Sequence, residues 1–411
     1  MAAITQQSSL KDMDVSLLNK RGYDAEIYME MLLTDPLLAI NTLADGYVNE
    51  AGYGGPVNIA SKGKAVIKVN ASKDSEQVIL KKMLALQDDF TLGASADQTG
   101  QEEEIRMRTA VIRANEYFKS VPVTDWGKYK TEAEWTGLFN KVKPLLGQAA
   151  GEYEGLCMRE AIVTGISSNL NEAPYSGVYT YQLNRNVYVP GVGWVDNEAA
   201  FADYADNIAT AMTGGSATNI SMNDLLAIPN AMPAREIAPL RVDGGKKYLL
   251  FVHPDEFTNI TSTNTGTYGA LVTGGAVSWQ GSEIQKIFPS FEVMPTDQII
   301  VFKDERCPVI TVDEVANTAT PAYKKLGKTD DRDTTAAKTY YCNYLIGEEA
   351  LAVHEQEVGQ YRYDDEAYKK FKGVAWAGVK SYQSIIWEYD GATEVQKQQG
   401  GSALILTPII S

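Results

Sequence analysis

Histidine is scarce in this chain of 411 residues, which contains only His253 and His354. Zinc enzymes and Ser-His-Asp hydrolases depend on histidine, and neither residue stands in a pattern that such sites use. His253 precedes Pro254, where a predicted strand leads into a predicted helix, so we expect it to act as an N-cap-like residue. His354 follows a segment that reads as a short apolar helix. We therefore interpret both histidines as structural.

Cysteine and long apolar runs are also in short supply. The three cysteines, Cys157, Cys307 and Cys342, are odd in number and widely spaced. This spacing argues against a disulfide framework and predicts buried free thiols. No run approaches the roughly 20 apolar residues of a membrane-spanning helix. The first residues lack the basic and apolar regions of a signal peptide, so we expect the chain to fold in a cytoplasm.

Positive charge is in deficit, with 37 Lys and Arg against 53 Asp and Glu, a net charge of −16 and a pI of about 4.7. Proteins that grip phosphates carry the opposite balance. An acidic protein can still enclose nucleic acid, provided that the protein surface does not bind the nucleic acid tightly. Hydrophobic residues make up 44% and charged residues 22% of the chain, which is typical of a folded protein. The length allows two or three domains.

Motifs for catalysis are missing from the sequence as well. It contains no phosphate-binding loop, nucleophile elbow, zinc-protease helix, Cys-x-x-Cys pair or calcium loop. Acidic runs at 102–104 and 364–366 could serve as metal sites or in acid–base chemistry, but such runs more often form solvated faces or salt bridges with a neighbouring subunit. The sequence leaves open whether a loop with Asp330, Asp331 and Asp333 binds a cation. We assign no catalytic, cofactor-binding or metal-binding residue, and no cofactor.

The segment from 65 to 113 is predicted to form an exposed ribbon. Residues 65–69 and 105–113 alternate apolar and polar side chains, which predicts two strands. The intervening segment 75–87 carries apolar residues at spacings that we interpret as a helix. A ribbon with two strands is only marginally stable in isolation. We therefore expect this segment to lie on a neighbouring subunit.

A long helix is predicted to follow the ribbon. From Thr131 onward, apolar residues recur three or four apart, which predicts a helix of about 30 residues that opens with a capping box. We expect Pro144 to kink this helix. Gly147, Gly151 and Gly155 are four residues apart and are predicted to mark a close backbone approach to a sheet.

The second half of the chain reads as a mixture of strands and helices. Lys246 to His253 is predicted to be a buried strand, and Pro254 starts the helix that follows it. An apolar patch at 404–410 ends the chain. The remaining predicted elements are a hairpin at 178–183 and 186–190, helices at 197–212, 222–231 and 347–353, and strands at 291–294, 298–303, 309–315, 340–346, 373–380 and 382–387.

This succession of segments resembles the major capsid proteins of tailed bacteriophages with the Hong Kong 97-type fold, and more narrowly their N4-like branch. Three stretches carry the resemblance. The first is 92–123, with Gly-Gln-Glu-Glu-Glu-Ile at 100–105 before the strand and the long helix. The second is Tyr-Leu-Leu-Phe-Val-His-Pro-Asp-Glu at 248–256. The third is Tyr-Leu-Ile-Gly-Glu-Glu-Ala-Leu at 344–351, which continues through 371–376 to Ile386.

The resemblance implies an α+β fold and a division of the chain into six parts. These parts are an N-terminal arm (1–61), an extended loop (62–123), a peripheral domain with a long spine helix (124–224), an axial domain (225–340), return strands of the peripheral domain (341–390) and a C-terminal tail (391–411).

The implied function is self-assembly into hexamers and pentamers of an icosahedral shell around the double-stranded DNA genome of a phage. The expected partners are other copies of the chain, a portal, a separate scaffolding protein and a decoration protein, with no membrane. The expected location is the virion capsid, assembled in the cytoplasm of the host bacterium, and no enzymatic activity is implied. Two alternatives are a bacterial compartment shell that encloses cargo and a soluble hydrolase that uses paired carboxylates.

Overall fold

The computed structural model describes a large part of the chain, in segments. They are residues 31, 35–48, 57–58, 64–70, 77–83, 107–113, 116–123, 132–164, 184–195, 208, 210–212, 217–242, 245–263, 293–295, 298–313, 318–322, 339–366, 371–389 and 398–409.

Three α-helices have defined bounds in these segments: α1 is Glu132–Thr164, α2 is Met222–Ala231 and α3 is Pro254–Thr263. Short 3₁₀ helices cover Pro36–Leu43 and Pro233–Arg235. The predicted long helix is confirmed, and it continues through Pro144. The helices predicted at 222–231 and from Pro254 are also confirmed. Among the described residues, no helix combines the length and the hydropathy needed to cross a bilayer.

The described strands are numbered in chain order. They are β1 Ala44–Val48, β2 Val57–Asn58, β3 Val66–Asn70, β4 Gln77–Met83, β5 Met107–Arg113, β6 Glu116–Val123, β7 Val187–Val189, β8 Gly193–Trp194, β9 Leu240–Val242, β10 Gly245–Val252, β11 Val293–Pro295, β12 Ile299–Lys303, β13 Val309–Asp313, β14 Thr318–Ala322, β15 Thr339–Ile346, β16 Leu351–Glu366, β17 Phe371–Ser384, β18 Ile386–Tyr389, β19 Gln398–Gln399 and β20 Ser402–Pro408.

Within the described segments these strands form three sheets. The long sheet has the order β1-β3-β16-β17-β6, in which β16 and β17 form an extended antiparallel pair. The central sheet has the order β11-β12-β10-β15-β20-β7-β8; in addition, β9 pairs with β10, β13 pairs with β15, and β14 pairs with β13. The ribbon sheet has the order β19-β18-β5-β4-β2. Helix and strand therefore mix in one α+β architecture.

The central sheet contains the largest apolar strands. Every residue of β15 is buried, as are the last five residues of β10. β20 pairs with β15 on one side and with β7 on the other, so the apolar patch near the C-terminus lies inside this sheet. The interior position of β20 explains why its side chains from Ser402 to Leu406 are buried.

The helix predicted at 75–87 is wrong, because residues Gln77–Met83 form strand β4. Val78 and Leu80 are buried while Ile79 between them is exposed, which is the alternation of a strand. All seven residues of β4 pair with β5 in an antiparallel ladder. The apolar run is compatible with either structure, and pairing with β5 selects the strand.

The helix predicted at 347–353 is also wrong. Residues from Gly347 to Ala350 form a turn, and β16 starts at Leu351. The backbone N–H groups of Gly347, Glu348 and Glu349 donate to the carbonyl groups of Gly401, Ala238 and Lys64. Because these distant carbonyls take the N–H groups, no helical hydrogen bonds form here. His354 consequently lies on a strand, not after a helix.

Other predictions are confirmed in part. The strands predicted at 291–294, 298–303, 309–315, 340–346, 373–380 and 382–387 correspond to β11, β12, β13, β15, β17 and β18, with shifted ends. Residues 178–183 lie outside the described residues, and β7 forms its hairpin with β8 instead. Of the helix predicted at 197–212, residues 208 and 210–212 are helical, and the rest lie outside the described residues.

Candidate functional site

The contacts of His253 and the burial of the three cysteines indicate structural roles for these residues. His253 Nδ1 accepts a hydrogen bond from the Asp255 N–H at 3.3 Å, which confirms the predicted N-cap-like role at the start of α3. The His253 ring also stacks on Tyr341, with ring centroids 3.9 Å apart. The three cysteines are buried and free, as predicted. Among the described residues, no group of three or more His, Cys, Asp or Glu residues could hold a metal ion.

Most of the acidic residues singled out in the sequence lie outside the described residues. Residues 102–104 and the loop with Asp330, Asp331 and Asp333 lie outside the described residues. Residues 364–366 form the last part of strand β16. The ribbon in the structure is the pair of strands β4 and β5, and β3, which was predicted to be one of the ribbon strands, lies in the long sheet instead.

The inner face of the ribbon sheet packs on the long sheet. Val78 and Leu80 of β4 and Ala110 and Ile112 of β5 are buried in one apolar cluster. The other members of this cluster are Ile67 and Val69 of β3, Ala352 of β16, Ile385 between β17 and β18, and Trp387 of β18. The ribbon thus has a buried inner face that belongs to its own subunit.

The outer face of the ribbon sheet carries exposed apolar side chains. Ile79 is 36% exposed and Val111 is 45% exposed. The two residues are direct partners in the antiparallel β4–β5 pair, so their side chains lie side by side on the same face. A strand pair with apolar residues on both faces is suited to lie between two surfaces.

The base of the ribbon is held by two ion pairs. Lys82 Nζ lies 2.8 Å from Glu349 Oε2, and Arg108 Nη2 donates to Glu236 Oε1 at 2.9 Å. Both carboxylates stand on residues with a left-handed backbone, φ +57° at Glu349 and +56° at Glu236. This conformation is unfavourable for residues other than glycine, asparagine and aspartate. Lys82 Nζ also lies 5.6 Å from the ring centroid of Trp387.

Helix α1 approaches the N-terminal segment closely at two glycines. A Cβ atom at Gly151 would lie 2.7 Å from the Met31 carbonyl oxygen, and one at Gly155 would lie 2.5 Å from Asp35 Cγ. The predicted close approach is confirmed at these positions. Its partner is the segment that contains Met31 and Asp35, whereas we predicted a sheet.

A buried charged cluster joins α1 to the N-terminal segment and the central sheet. Arg159 donates to Asp304 through Nε and Nη2, at 3.0 and 2.9 Å. It also donates to Asp35, with the shorter contact from Nη1 at 2.6 Å. Burial opposes the charge of Asp304, but Arg159 outweighs it and lowers the pKa of this carboxyl group. The Tyr344 hydroxyl donates to the same carboxylate at 2.7 Å.

A second buried charged cluster joins α1 to the long sheet. Glu154 Oε2 accepts hydrogen bonds from Lys380 Nζ at 2.8 Å and from the Tyr382 hydroxyl at 2.7 Å. Glu154 Oε1 accepts from the Tyr117 hydroxyl at 3.1 Å. Burial and the Glu154 charge raise the pKa of both tyrosines. These contacts fix the helix across β6 and β17.

Sequence reasoning did not find these charged clusters. Glu154 and Arg159 fall within the apolar stretch of α1, at 5% and 3% exposure. Charged residues in a stretch predicted to be buried are the one signal that could have indicated paired charges. Their partners are 37 to 228 residues away in the chain, and no local pattern identifies them.

Comparison with solved structures finds phage capsids. The chain superposes on the capsid of Ralstonia phage GP4 with a TM-score of 0.55 and 12% identity, covering 86% of this chain and 90% of that chain. It superposes on the capsid of cyanophage Pam1 with a TM-score of 0.54 and 13% identity, covering 86% and 90%. The head structure of Helicobacter pylori bacteriophage KHP40 gives a TM-score of 0.54 and 8% identity, covering 87% and 90%.

The chain has the Hong Kong 97-type capsid fold. The α+β fold class expected from the sequence is thereby confirmed. No protein-family model and no curated protein sequence matches the chain. At these identities the likeness lies in the fold and in the order of the elements.

Proposed function

We propose that the protein is a major capsid protein, which assembles into hexamers and pentamers of an icosahedral shell around the double-stranded DNA of a tailed bacteriophage. The observation that carries this proposal is the ribbon, which has apolar side chains on both faces and is covered on one. The capsid fold supports the same reading, because related architectures occur in phage heads.

The outer face of the ribbon supplies an assembly contact. Ile79 and Val111 are exposed in the single subunit, and a neighbouring subunit that lies on them would remove their apolar surface from water. Burying an aliphatic side chain fully is favourable by about 1.5–3 kcal/mol. One such contact is weak. Repeated around a ring, where each subunit touches several partners, such contacts add up to a stable shell.

The composition supports a container for nucleic acid. A net charge of −16 leaves little attraction for phosphates, so DNA enclosed by such a protein can move during filling. A hydrolase, by contrast, needs two converging carboxyl groups with raised pKa values. Burial raises the pKa of Glu256 to about 7, but its Oε2 accepts the Ile220 N–H at 3.3 Å, which is a structural contact.

The finer assignments belong to the same proposal. The chain divides at 1–61, 62–123, 124–224, 225–340, 341–390 and 391–411 into arm, extended loop, peripheral domain with spine helix, axial domain, return strands and tail. It belongs to the N4-like branch and has no enzymatic activity. It assembles in the host cytoplasm with portal, scaffolding and decoration proteins and is then part of the virion.

The test is assembly of the purified full-length protein and of variants on the outer face of the ribbon. Sedimentation velocity and negative-stain imaging over a range of concentrations are expected to give capsomers or shells for the wild type. Val111→Asp places a charge in the contact and should leave monomers, because burial of an unpaired carboxylate is unfavourable. Val111→Thr preserves the side-chain shape and should assemble.

Circular dichroism checks that both variants keep their fold. A wild-type protein that stays monomeric at every concentration, with the ribbon protected from protease, contradicts the proposal. If Val111→Asp and Val111→Thr assemble equally well, the outer face of the ribbon does not form the contact between subunits.

A further inference from the structure

His354 lies beneath the ribbon sheet. It is fully buried on β16, opposite Val69 of β3 on one side and Ser381 of β17 on the other. Side chains two apart on a strand share a face, so His354 shares the face of Ala352. Ala352 and Val69 both belong to the apolar cluster that the inner face of the ribbon covers. The imidazole therefore stands in the surface on which the ribbon is docked.

Among the residues that the structure describes, neither ring nitrogen of His354 has a hydrogen-bond partner. A neutral imidazole has one N–H and one acceptor, whereas an imidazolium has two N–H donors and a charge. An unpaired buried donor is costly, and an unpaired buried charge is more so. The docked ribbon thus tolerates the neutral ring and opposes its protonation.

The charged groups around this face do not compensate an imidazolium. The side chains that cover the cluster from β3, β4, β5 and β18 are apolar. Farther along the inner face of the ribbon stand Lys82 and Arg108, both cations, which are paired with Glu349 and Glu236. On β16, Glu355 adjoins His354 but lies on the opposite face of the strand, where it pairs with Lys68.

Lys380 of β17 is paired with Glu154 on that same opposite face.

We propose that His354 is an acid-operated release for the ribbon: protonation of its buried imidazole undocks β4 and β5 from the long sheet. Undocking exposes the ring to water, where the imidazolium is solvated, and frees the ribbon to change its angle. The device acts within one subunit and goes beyond the proposed shell function, since it does not require a second copy.

The direction of the pH effect follows from the proton affinities of the two states. Burial lowers the pKa of His354 from 6.5 to about 4 in the docked state, while an exposed imidazole keeps its ordinary value. Between these values the open state binds a proton that the docked state does not. The ratio of open to docked ribbon therefore rises by up to about tenfold for each pH unit between these values, and about 300-fold is the limit that it approaches in stronger acid.

Hydrogen exchange of the β4 and β5 amides in dilute full-length protein tests this proposal. Exchange times are adjusted at each pH for the intrinsic exchange rate. From pH 7 to pH 4, the protection of these amides is expected to fall by up to about 300-fold more in the wild type than in His354→Phe, which cannot take up a proton. Any acid effect on groups other than His354 is common to both proteins, so the difference isolates the imidazole.

His253→Asn is the matched control. His253 is the other histidine of the chain, and it lies between β10 of the central sheet and α3. This variant should open like the wild type. His354→Leu serves as a second variant if phenylalanine overfills the site, and both should lose the extra acid opening. The same pH dependence in the wild type and in both His354 variants overturns the proposal.

Failure of this proposal is distinguishable from failure of the shell function. If ribbon opening depends on His354 but the protein never assembles, the proposal for His354 is supported and the proposed capsid function is wrong. Assembly that depends on Val111, together with hydrogen exchange that does not depend on His354, would support the capsid function and overturn the proposal for His354.

Discussion

Arg159 and Asp304 form a buried bidentate ion pair between helix α1 and the end of strand β12. The side chains are 3% and 4% exposed, and two parallel hydrogen bonds of 3.0 and 2.9 Å join them. Asp35 completes the arrangement from the N-terminal segment. One guanidinium group therefore determines how three distant parts of the chain meet.

Replacement of Arg159 by Leu should destabilise the subunit by about 3–5 kcal/mol, because it leaves the carboxylates of Asp35 and Asp304 buried without their main partner. Urea denaturation of the unassembled protein measures this loss. Arg306→Leu is the control, because Arg306 is more exposed than Arg159 and its contact with Asp35 is longer, at 3.2 Å. It should cost less than half as much. If the two variants lose the same free energy of unfolding, the bidentate pair of Arg159 and Asp304 contributes no more to stability than the contact of Arg306.

The Glu154 cluster predicts strong coupling between α1 and β17. Glu154→Gln and Lys380→Met should each destabilise by about 3–5 kcal/mol, since each leaves a buried charge unpaired. The double variant removes both charges, and its cost should fall short of the sum by about 1–3 kcal/mol. A double-mutant cycle in urea measures this coupling. Additive losses would show that Lys380 and Glu154 act independently.

The sequence predicted those elements in which local pattern and tertiary environment agree. β10 followed by α3 is a buried apolar run that ends at a proline in the first helical position, and it formed as predicted. The β4 segment has an apolar run that suits a helix or a strand, so its ladder with β5 decides the outcome. In the turn after Gly347, carbonyls from other parts of the chain capture the N–H groups, and no local pattern encodes them.

The candidate site could be predicted only as a segment. The alternation at 105–113 identified β5 and suggested that the ribbon needs a surface to lie on. The ion pairs at its base could not be predicted, because Lys82 and Glu349 are 267 residues apart. The same holds for His354, whose burial depends on the pairing of β16 with β3 and on the ribbon above them. Long-range strand pairing is the information that the sequence pattern lacks.

Glu256 predicts a loss of stability as the pH rises. Its side chain is buried in α3, and burial raises its pKa from 4.5 to about 7, while the Ile220 N–H and the Thr407 side chain act in the opposite direction. Between these pH values the folded state holds a proton that the unfolded state has released. Folding stability should therefore fall by up to about 3 kcal/mol from pH 4.5 to pH 7 through this group.

Glu256→Gln removes the titration and keeps an oxygen that can accept the Ile220 N–H. Denaturation curves of wild type and variant, collected from pH 4.5 to pH 8, should diverge in favour of the variant as the pH rises. Curves that stay parallel would show that Glu256 ionises alike in both states.

Gly193 and Gly401 both have a positive φ, but only Gly401 lies close to other atoms, so alanine variants at the two positions can distinguish backbone strain from steric conflict. Gly401 has a φ of +57° in the turn before β20, and Gly193 has a φ of +111° at the start of β8. A Cβ atom at Gly193 would meet no atom within 4 Å. At Gly401 it would overlap the backbone of the turn at 348–350, with Glu349 C at 2.5 Å. Both alanine variants suffer the unfavourable φ, at about 1–2 kcal/mol, but only Gly401→Ala must also displace backbone.

We expect Gly401→Ala to lower the urea midpoint at least twice as far as Gly193→Ala. The Gly401 carbonyl accepts the Gly347 N–H at 2.6 Å, so displacement of this turn also disturbs the start of β16. Hydrogen exchange should therefore show weaker protection at Leu351 and beyond in Gly401→Ala, with normal protection there in Gly193→Ala. If both variants lose the same stability, the turn is able to relax, and the close contact at Gly401 does not constrain the junction between the central and long sheets.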